Sequence, residues 1–308
     1  MGSDAIRRSL VRRETRRRGP PLWSRRAFWG YVLILPYLIN LAVFTAGPVI
    51  ASLFLSFTNY EIVRAPIWTG TANYARAFGD RNFLDALRNT LYYIGVSLPT
   101  SLTVSLLLAI ALNQRIRGMV FFRTAFFLPV VSSQVAISLL FTWLYSRTGL
   151  LNYLLSLLGI PAVSWLNSDM ALNSLIAVNV WQGLGILILY WLAGLQGVPE
   201  VIYEAAEIDG AGWWARLRYV TVPLLSPVTF FLLVLGVIGS FQVFTTALVM
   251  TDGGPGTATL TVALLIYQLG FRFFQMGYAS AIAYLLFIIL FAATMVQWRL
   301  QSRWVHYE

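Results

Sequence analysis

Six stretches of this chain contain no Asp, Glu, Lys or Arg: 27–60, 89–114, 124–146, 170–199, 219–251 and 273–298. Each exceeds the roughly 20 residues that a helix needs to cross the hydrocarbon layer of a bilayer. In lipid every backbone N–H and C=O must be paired within the structure, so only helices and closed barrels can span. A barrel would show strands of about 10 residues with alternating polar and apolar positions. These runs do not alternate. A soluble helical protein could bury one or two such helices, but six at spanning length are not explained that way. The fold class is therefore all-α and polytopic, with six transmembrane helices.

The spans are expected at about 28–57, 89–112, 121–145, 171–194, 224–247 and 276–297, all within a membrane domain covering about 27–300. Pro36 and Gly47-Pro48 can bend the first by removing an intrahelical bond, and Pro129 lies near the middle of the third. A short helix is expected from Asn82, in the loop ahead of the second span. Leu150–Gly159 is too short to cross. Ala258–Phe271 supplies only about 14 residues, which suits a re-entrant or interfacial helix. Counting either as a span would make seven and move the C-terminus to the other side.

Arginine placement favours six. With the N-terminus inside, the inner pieces hold nine Arg in 7–26, then Arg115, Arg117, Arg123, Arg216, Arg218, Arg299 and Arg303, while the outer pieces hold Arg64, Arg76, Arg81, Arg88, Arg147 and Arg272. Basic residues near span ends concentrate on the cytoplasmic side, so both termini are expected there. The formal charge of +10 then reflects orientation. The basic arm 1–26 lies just before a span, where anionic headgroups of the inner leaflet attract it, and no nucleic-acid partner is expected. The run from Ala27 is too long for a cleaved signal peptide and is expected to persist as the first span. Residues 301–308 form a short inner tail.

The inventory of reactive groups is sparse. All 22 basic residues are Arg and there is no Lys, so a Walker-type loop with its lysine is absent. No Cys is present, and the single His306 sits near the C-terminus, so no thiol or two-histidine metal site can form. The charge-free runs hold no acidic or basic relay of the kind proton-coupled transporters use. Neither catalysis nor a bound cofactor or metal is expected of this chain.

Against that background the stretch 196–222 stands out. Pro199 and Glu200 can open a helix, with Glu200, Glu204 and Glu207 read near its positive end and Arg216 and Arg218 nearer its negative end. Ala205 and Ala206 are small and let another surface come close. Gly210 breaks the run, and Pro223 and Pro227 restart the chain toward the fifth span. The expected product is a short helix, a sharp turn and a second short helix across the inner face. An ordinary capped, solvated loop is the simpler alternative.

Glu204-Ala205-Ala206-Glu207-Ile208-Asp209-Gly210-Ala211, with Pro223 and Pro227 beyond, resembles the EAA signature of binding-protein-dependent ABC importer permeases. Leu217 stands where phenylalanine is commoner, and Val222 where leucine is commoner. The first span closing on Phe57-Thr58-Asn59, then Asn73-Tyr74, Phe83, Ala86-Leu87-Arg88-Asn89-Thr90, Phe126, Leu128-Pro129 and Thr251-Asp252-Gly253-Gly254-Pro255, are similar to further landmarks of its MalF/UgpA-type sugar-permease branch. The resemblance implies the type I importer permease fold, with a core unit at about 88–300, in a prokaryotic cytoplasmic (inner) membrane. It implies a second, MalG/UgpE-like permease, two ABC ATPase subunits that bind ATP and Mg, and an extracytoplasmic solute-binding protein. It makes Glu204, Ala205, Ala206, Asp209, Gly210 and Ala211 a coupling helix and turn seated on an ATPase. The implied cargo is a mono-, di- or oligosaccharide or glycerol phosphate, moved by alternating access.

For the solute path, Asn179, Gln182, Tyr190, Gln242, Tyr284 and the ring of Trp181 can supply the neutral hydrogen bonds and flat apolar surface that sugars need. The same residue types also bridge packed helices and populate membrane interfaces. Two other readings stay open: a membrane scaffold recruiting a soluble partner through 196–222, and a permease for a non-sugar solute.

Overall fold

The computed structural model describes residues 25–114 and 118–305, with side-chain surroundings from residue 28. Expectations for the arm up to residue 24, for Arg115 and Arg117 and for His306 lie outside the described residues. Five helices are long and apolar enough to cross a membrane, and six when one bent pair counts as a single span. The chain divides into two units, Met1–Phe54 and Leu55–Glu308.

The first unit is span 1, Phe28–Ser56, whose last turn runs across the boundary. It stays α-helical through Pro36, widens to a π-helix at Leu41–Ala46 and resumes as α at Gly47–Ser56. The π turn sits just ahead of Pro48, which has no N–H to donate. Gly47 donates instead to Ala42, five residues back, and the ladder shifts register around the proline.

In the second unit, span 2 is Arg81–Leu112, 32 residues long. It starts earlier than the sequence suggested. Asp80 is extended and its Oδ1 accepts from the Asn82 N–H at 2.9 Å, so the cap sits before Arg81 and the short helix expected from Asn82 fuses with the span. At 1.5 Å per residue its length is about 48 Å, well beyond the roughly 30 Å hydrocarbon layer. Spans 4 and 6 are the unbroken helices Ala171–Gln196 and Met276–Gln301.

Two spans are not the continuous helices expected. Span 3 is Met119–Val131 followed by Gln134–Leu144, bent by 99°. Pro129 supplies no N–H, Ser132 and Ser133 turn extended, and Ser132 Oγ donates to the Leu128 carbonyl at 3.1 Å. These small polar residues satisfy the broken ladder locally. Span 5 runs Ser226–Phe241, breaks at Gln242 to Phe244, and resumes as Thr245–Met250. There Thr261 Oγ1 donates to the freed Val243 carbonyl at 2.9 Å.

Span 2 lies along span 4, the first half of span 3 packs on span 4, and span 5 packs on spans 2 and 6. Their shared core includes Leu98, Leu102, Leu184, Ile188, Leu225 and Leu232. Trp191 is buried there and donates Nε1–H to Ser105 Oγ at 2.9 Å, pairing its one polar atom. A second core gathers Phe83, Val262, Leu264, Tyr278 and Ile282 at the other end. The apolar stretch after the glycine-rich turn is the helix Val262–Tyr267 with a π turn Gln268–Arg272. It is too short to span, as expected, and packs against spans 2 and 6. Thr90 Oγ1 accepts from Val262 N at 3.1 Å, and Asn89 Nδ2 donates to the Thr257 and Leu260 carbonyls at 2.6 and 3.0 Å. The strands Thr58–Asn59 and Ile67–Trp68 pair as a small antiparallel ribbon, the one sheet among the described residues.

Candidate functional site

The stretch after span 4 folds as a helix, Glu200–Ile208, then a turn and a second helix, Trp213–Arg216, that continues through a π turn toward span 5. The first helix ends in a Schellman arrangement. Gly210 N–H bonds the Glu207 carbonyl at 3.0 Å and Ala211 N–H bonds the Ala206 carbonyl at 2.9 Å. This requires Gly210 at φ +79°, a conformation that a residue with a Cβ adopts only at a cost.

Charge placement differs from expectation. The helix is only nine residues long, so Glu200 alone occupies its first turn and Glu207 falls in its last. Glu207 instead accepts from Arg216 Nη1 at 3.2 Å across the turn, clasping the two short helices together. Tyr203 and Thr221 add a hydroxyl pair at 3.2 Å. Glu204, Ala205 and Asp209 are exposed, Ala206 and Ala211 half-buried. Val201, Ile208, Trp213, Trp214 and Tyr219 also stand exposed, by 56% or more of their surface.

A cleft of about 350 Å³ lies between spans 2, 4 and 5. Span 2 contributes Tyr93, Ser97 and Ser101, span 4 Asn179, Gly183, Ile186 and Leu187, and span 5 Gly236, Gly239 and Ser240. Each set repeats every three or four residues, so each shares one helix face. The lining is neutral: hydroxyls and an amide beside apolar wall. A larger hollow of about 690 Å³ opens at the other end of span 4, where Arg123 and Glu200 join Asn113, Gln196 and Tyr203.

Of the six solute-path candidates, Asn179 lines the cleft. Trp181, two residues on, is turned well away from that face, and half-buried Gln182, three residues on, is not among the lining residues. Trp181 is 42% exposed, beside Phe141 with centroids 5.3 Å apart. Tyr190 shares the face of Asn179 but lies three turns along, edge-on to Phe231 at 5.3 Å. Gln242 is exposed at the break in span 5, and half-buried Tyr284 sits near Phe287. Sequence reasoning missed Tyr93, Ser97, Ser101 and Ser240. The signal for the first three was present as a hydroxyl repeating every four residues along span 2.

The description "Binding-protein-dependent transport system inner membrane component" matches residues 65–304. This chain belongs to that family. As an ABC transporter permease it is the membrane subunit of an importer and not a catalytic one. It is 38% identical over 285 residues to the probable ABC transporter permease protein YesP of Bacillus subtilis (strain 168), covering 91% of this chain and 92% of that protein. It is 35% identical to the lactose transport system permease protein LacF of Rhizobium radiobacter, covering 87% and 92%. In fold it resembles a chain of the crystal structure of a bacterial alginate ABC transporter in complex with an alginate pentasaccharide-bound periplasmic protein. The TM-score there is 0.81 at 24% identity, over 91% of this permease and 96% of that chain.

Proposed function

We propose that this permease moves a sugar through the cleft between spans 2, 4 and 5. The observation that carries the reading is the lining itself. Neutral hydroxyl and amide groups beside an aliphatic wall suit a polyhydroxyl solute and give no counter-charge to an ion. The inner hollow, with Arg123 and Glu200 at the span ends, suits a neutral solute less well. A relative named for lactose transport and a fold shared with an alginate transporter agree with a carbohydrate cargo; glycerol phosphate is the charged alternative. The arginine bias orients the subunit with residues 196–222 and both termini inside. Glu204, Ala205, Ala206, Asp209, Gly210 and Ala211 then form a coupling element on one of two ABC ATPases, which bind ATP and Mg. Their motion passes to spans 4 and 5, to which the segment is directly joined. A MalG/UgpE-like permease completes the pathway, and a solute-binding protein docks outside.

The test fills the cleft. A Cβ built on Gly239 has open space around it, so Gly239→Trp projects into the cleft without a backbone clash. The assembled variant, with its partner subunits in liposomes, is expected to lose uptake of radiolabelled lactose, maltose and trehalose while retaining its ATPase subunits. Uptake at the wild-type rate would remove the cleft from the solute path.

A further inference from the structure

Asn179, the one amide lining the cleft, is held by two side chains outside that lining. Gln134 Nε2 donates to Asn179 Oδ1 at 3.2 Å and to Thr246 Oγ1 at 3.1 Å. Thr246 Oγ1 donates to the same Asn179 oxygen at 2.9 Å. The three groups close a ring of hydrogen bonds. Asn179 Nδ2 meanwhile donates to the Leu175 carbonyl at 2.9 Å, one helical turn back.

Only one amide orientation satisfies all these partners. The Leu175 carbonyl can only accept, so the nitrogen of Asn179 must face it. The oxygen then faces Gln134 and Thr246 and accepts from both. A flipped amide would set oxygen against oxygen at Leu175 and nitrogen against the Gln134 donor. With Oδ1 doubly engaged and one Nδ2 hydrogen spent on Leu175, the second Nδ2 hydrogen remains. That hydrogen is what Asn179 offers the cleft.

We infer that Gln134 and Thr246 are positioning residues that fix Asn179 as a hydrogen-bond donor toward the solute, selecting cargo with an acceptor oxygen at that point. The inference rests on the cleft being the solute path. Both breaks in the spans serve it. Gln134 opens the second half of span 3 directly after the 99° bend, and Thr246 lies in the short helix beyond the break in span 5. These two half-helices pack on each other. Thr246 is fully buried, so its hydroxyl has no water to substitute for Asn179. The acceptor would be a hydroxyl, ring or glycosidic oxygen of a saccharide.

Two measurements on the assembled transporter separate this from the parent reading. The first needs no solute: selective 15N-asparagine labelling reports the side-chain amide pair of Asn179, assigned by its loss in Asn179→Asp. Thr246→Val, isosteric but without a hydroxyl, is expected to shift that pair, and Thr246→Ser to restore it. Thr229→Val, whose hydroxyl bonds only its own helix at Leu225, is expected to leave it unmoved. The second is uptake of radiolabelled lactose, maltose, trehalose and glycerol 3-phosphate. For whichever the wild type carries, Thr246→Val is expected to raise KM about tenfold with kcat within twofold, and Thr246→Ser to recover KM. An unmoved amide pair in Thr246→Val, or an unchanged KM, overturns the inference. Wild-type uptake of none of the four counts against the sugar reading alone, and the amide arm still decides the positioning claim.

Discussion

At the scale of single residues, Gly210 carries the most argument. It holds φ +79° with open space where a Cβ would be, so a substitution there is opposed by backbone conformation and not by crowding. The left-handed region costs an L-residue roughly 1–2 kcal/mol, and a β-branched side chain stiffens it further. Gly210→Val is therefore expected to loosen the turn between the Glu200–Ile208 and Trp213–Arg216 helices without disturbing the spans. Membrane abundance should stay near wild type, while solute-stimulated ATP hydrolysis by the assembled transporter falls several-fold. Normal hydrolysis at matched abundance would make 204–211 a passive loop. The glycine was legible in the sequence because it interrupts an Ala- and Glu-rich helical run. The Glu207 to Arg216 clasp was not. It depends on the helix ending at Ile208, and a shift of one turn changes which glutamate lies beside the break.

At the scale of elements, charge-free runs located the spans well because lipid tolerates so few alternatives. They could not locate the breaks in spans 3 and 5, since a broken apolar run has the same hydropathy as a straight one. The clue lay in Ser132-Ser133-Gln134 after Pro129, three polar residues where a continuous helix would face lipid or core. Close approach between spans is equally hidden from hydropathy. A Cβ on Gly236 would collide with the end of the Leu98 side chain, whereas one on Gly185 would collide with the Phe126 carbonyl of span 3. A side-chain tip can rotate away; a helix backbone cannot. Gly236→Ala should thus cost about 1 kcal/mol and Gly185→Ala toward the upper end of the roughly 1–3 kcal/mol of overpacking. Thermal unfolding of the detergent-solubilised permease would rank them. Leu98→Ala should offset Gly236→Ala in a double-mutant cycle and do nothing for Gly185→Ala. Equal losses for the two glycines, or simple additivity with Leu98, would show that these contacts do not set the spacing of the spans.

At the scale of the whole molecule, orientation decides which chemistry meets which compartment. The two described ends differ in kind. The end holding 251–275 is tied together by specific polar contacts: Arg272 to Asp252 at 2.7 Å, Thr257 to Asp85 at 2.9 Å and Tyr278 to Asp80 at 2.7 Å. The hydrogen bond to the Asp252 carboxylate also raises the proton affinity of the Arg272 guanidinium. The end holding 196–222 instead leaves a mixed acidic and aromatic surface exposed, with Ile208 87% accessible. A braced end suits repeated docking of a solute receptor, and an exposed amphipathic end suits a permanent partner that transmits motion. That assignment requires 196–222 to be cytoplasmic, which the arginine bias also requires. Because the chain has no cysteine, single cysteines report without background. Val63→Cys, 92% exposed in the loop after span 1, is expected to react with a membrane-impermeant maleimide in intact cells. Ile208→Cys, expressed without the ATPase so that nothing covers it, should react only after permeabilisation. Labelling of Ile208→Cys in intact cells would invert the subunit, placing its amphipathic surface where no ATPase could reach it.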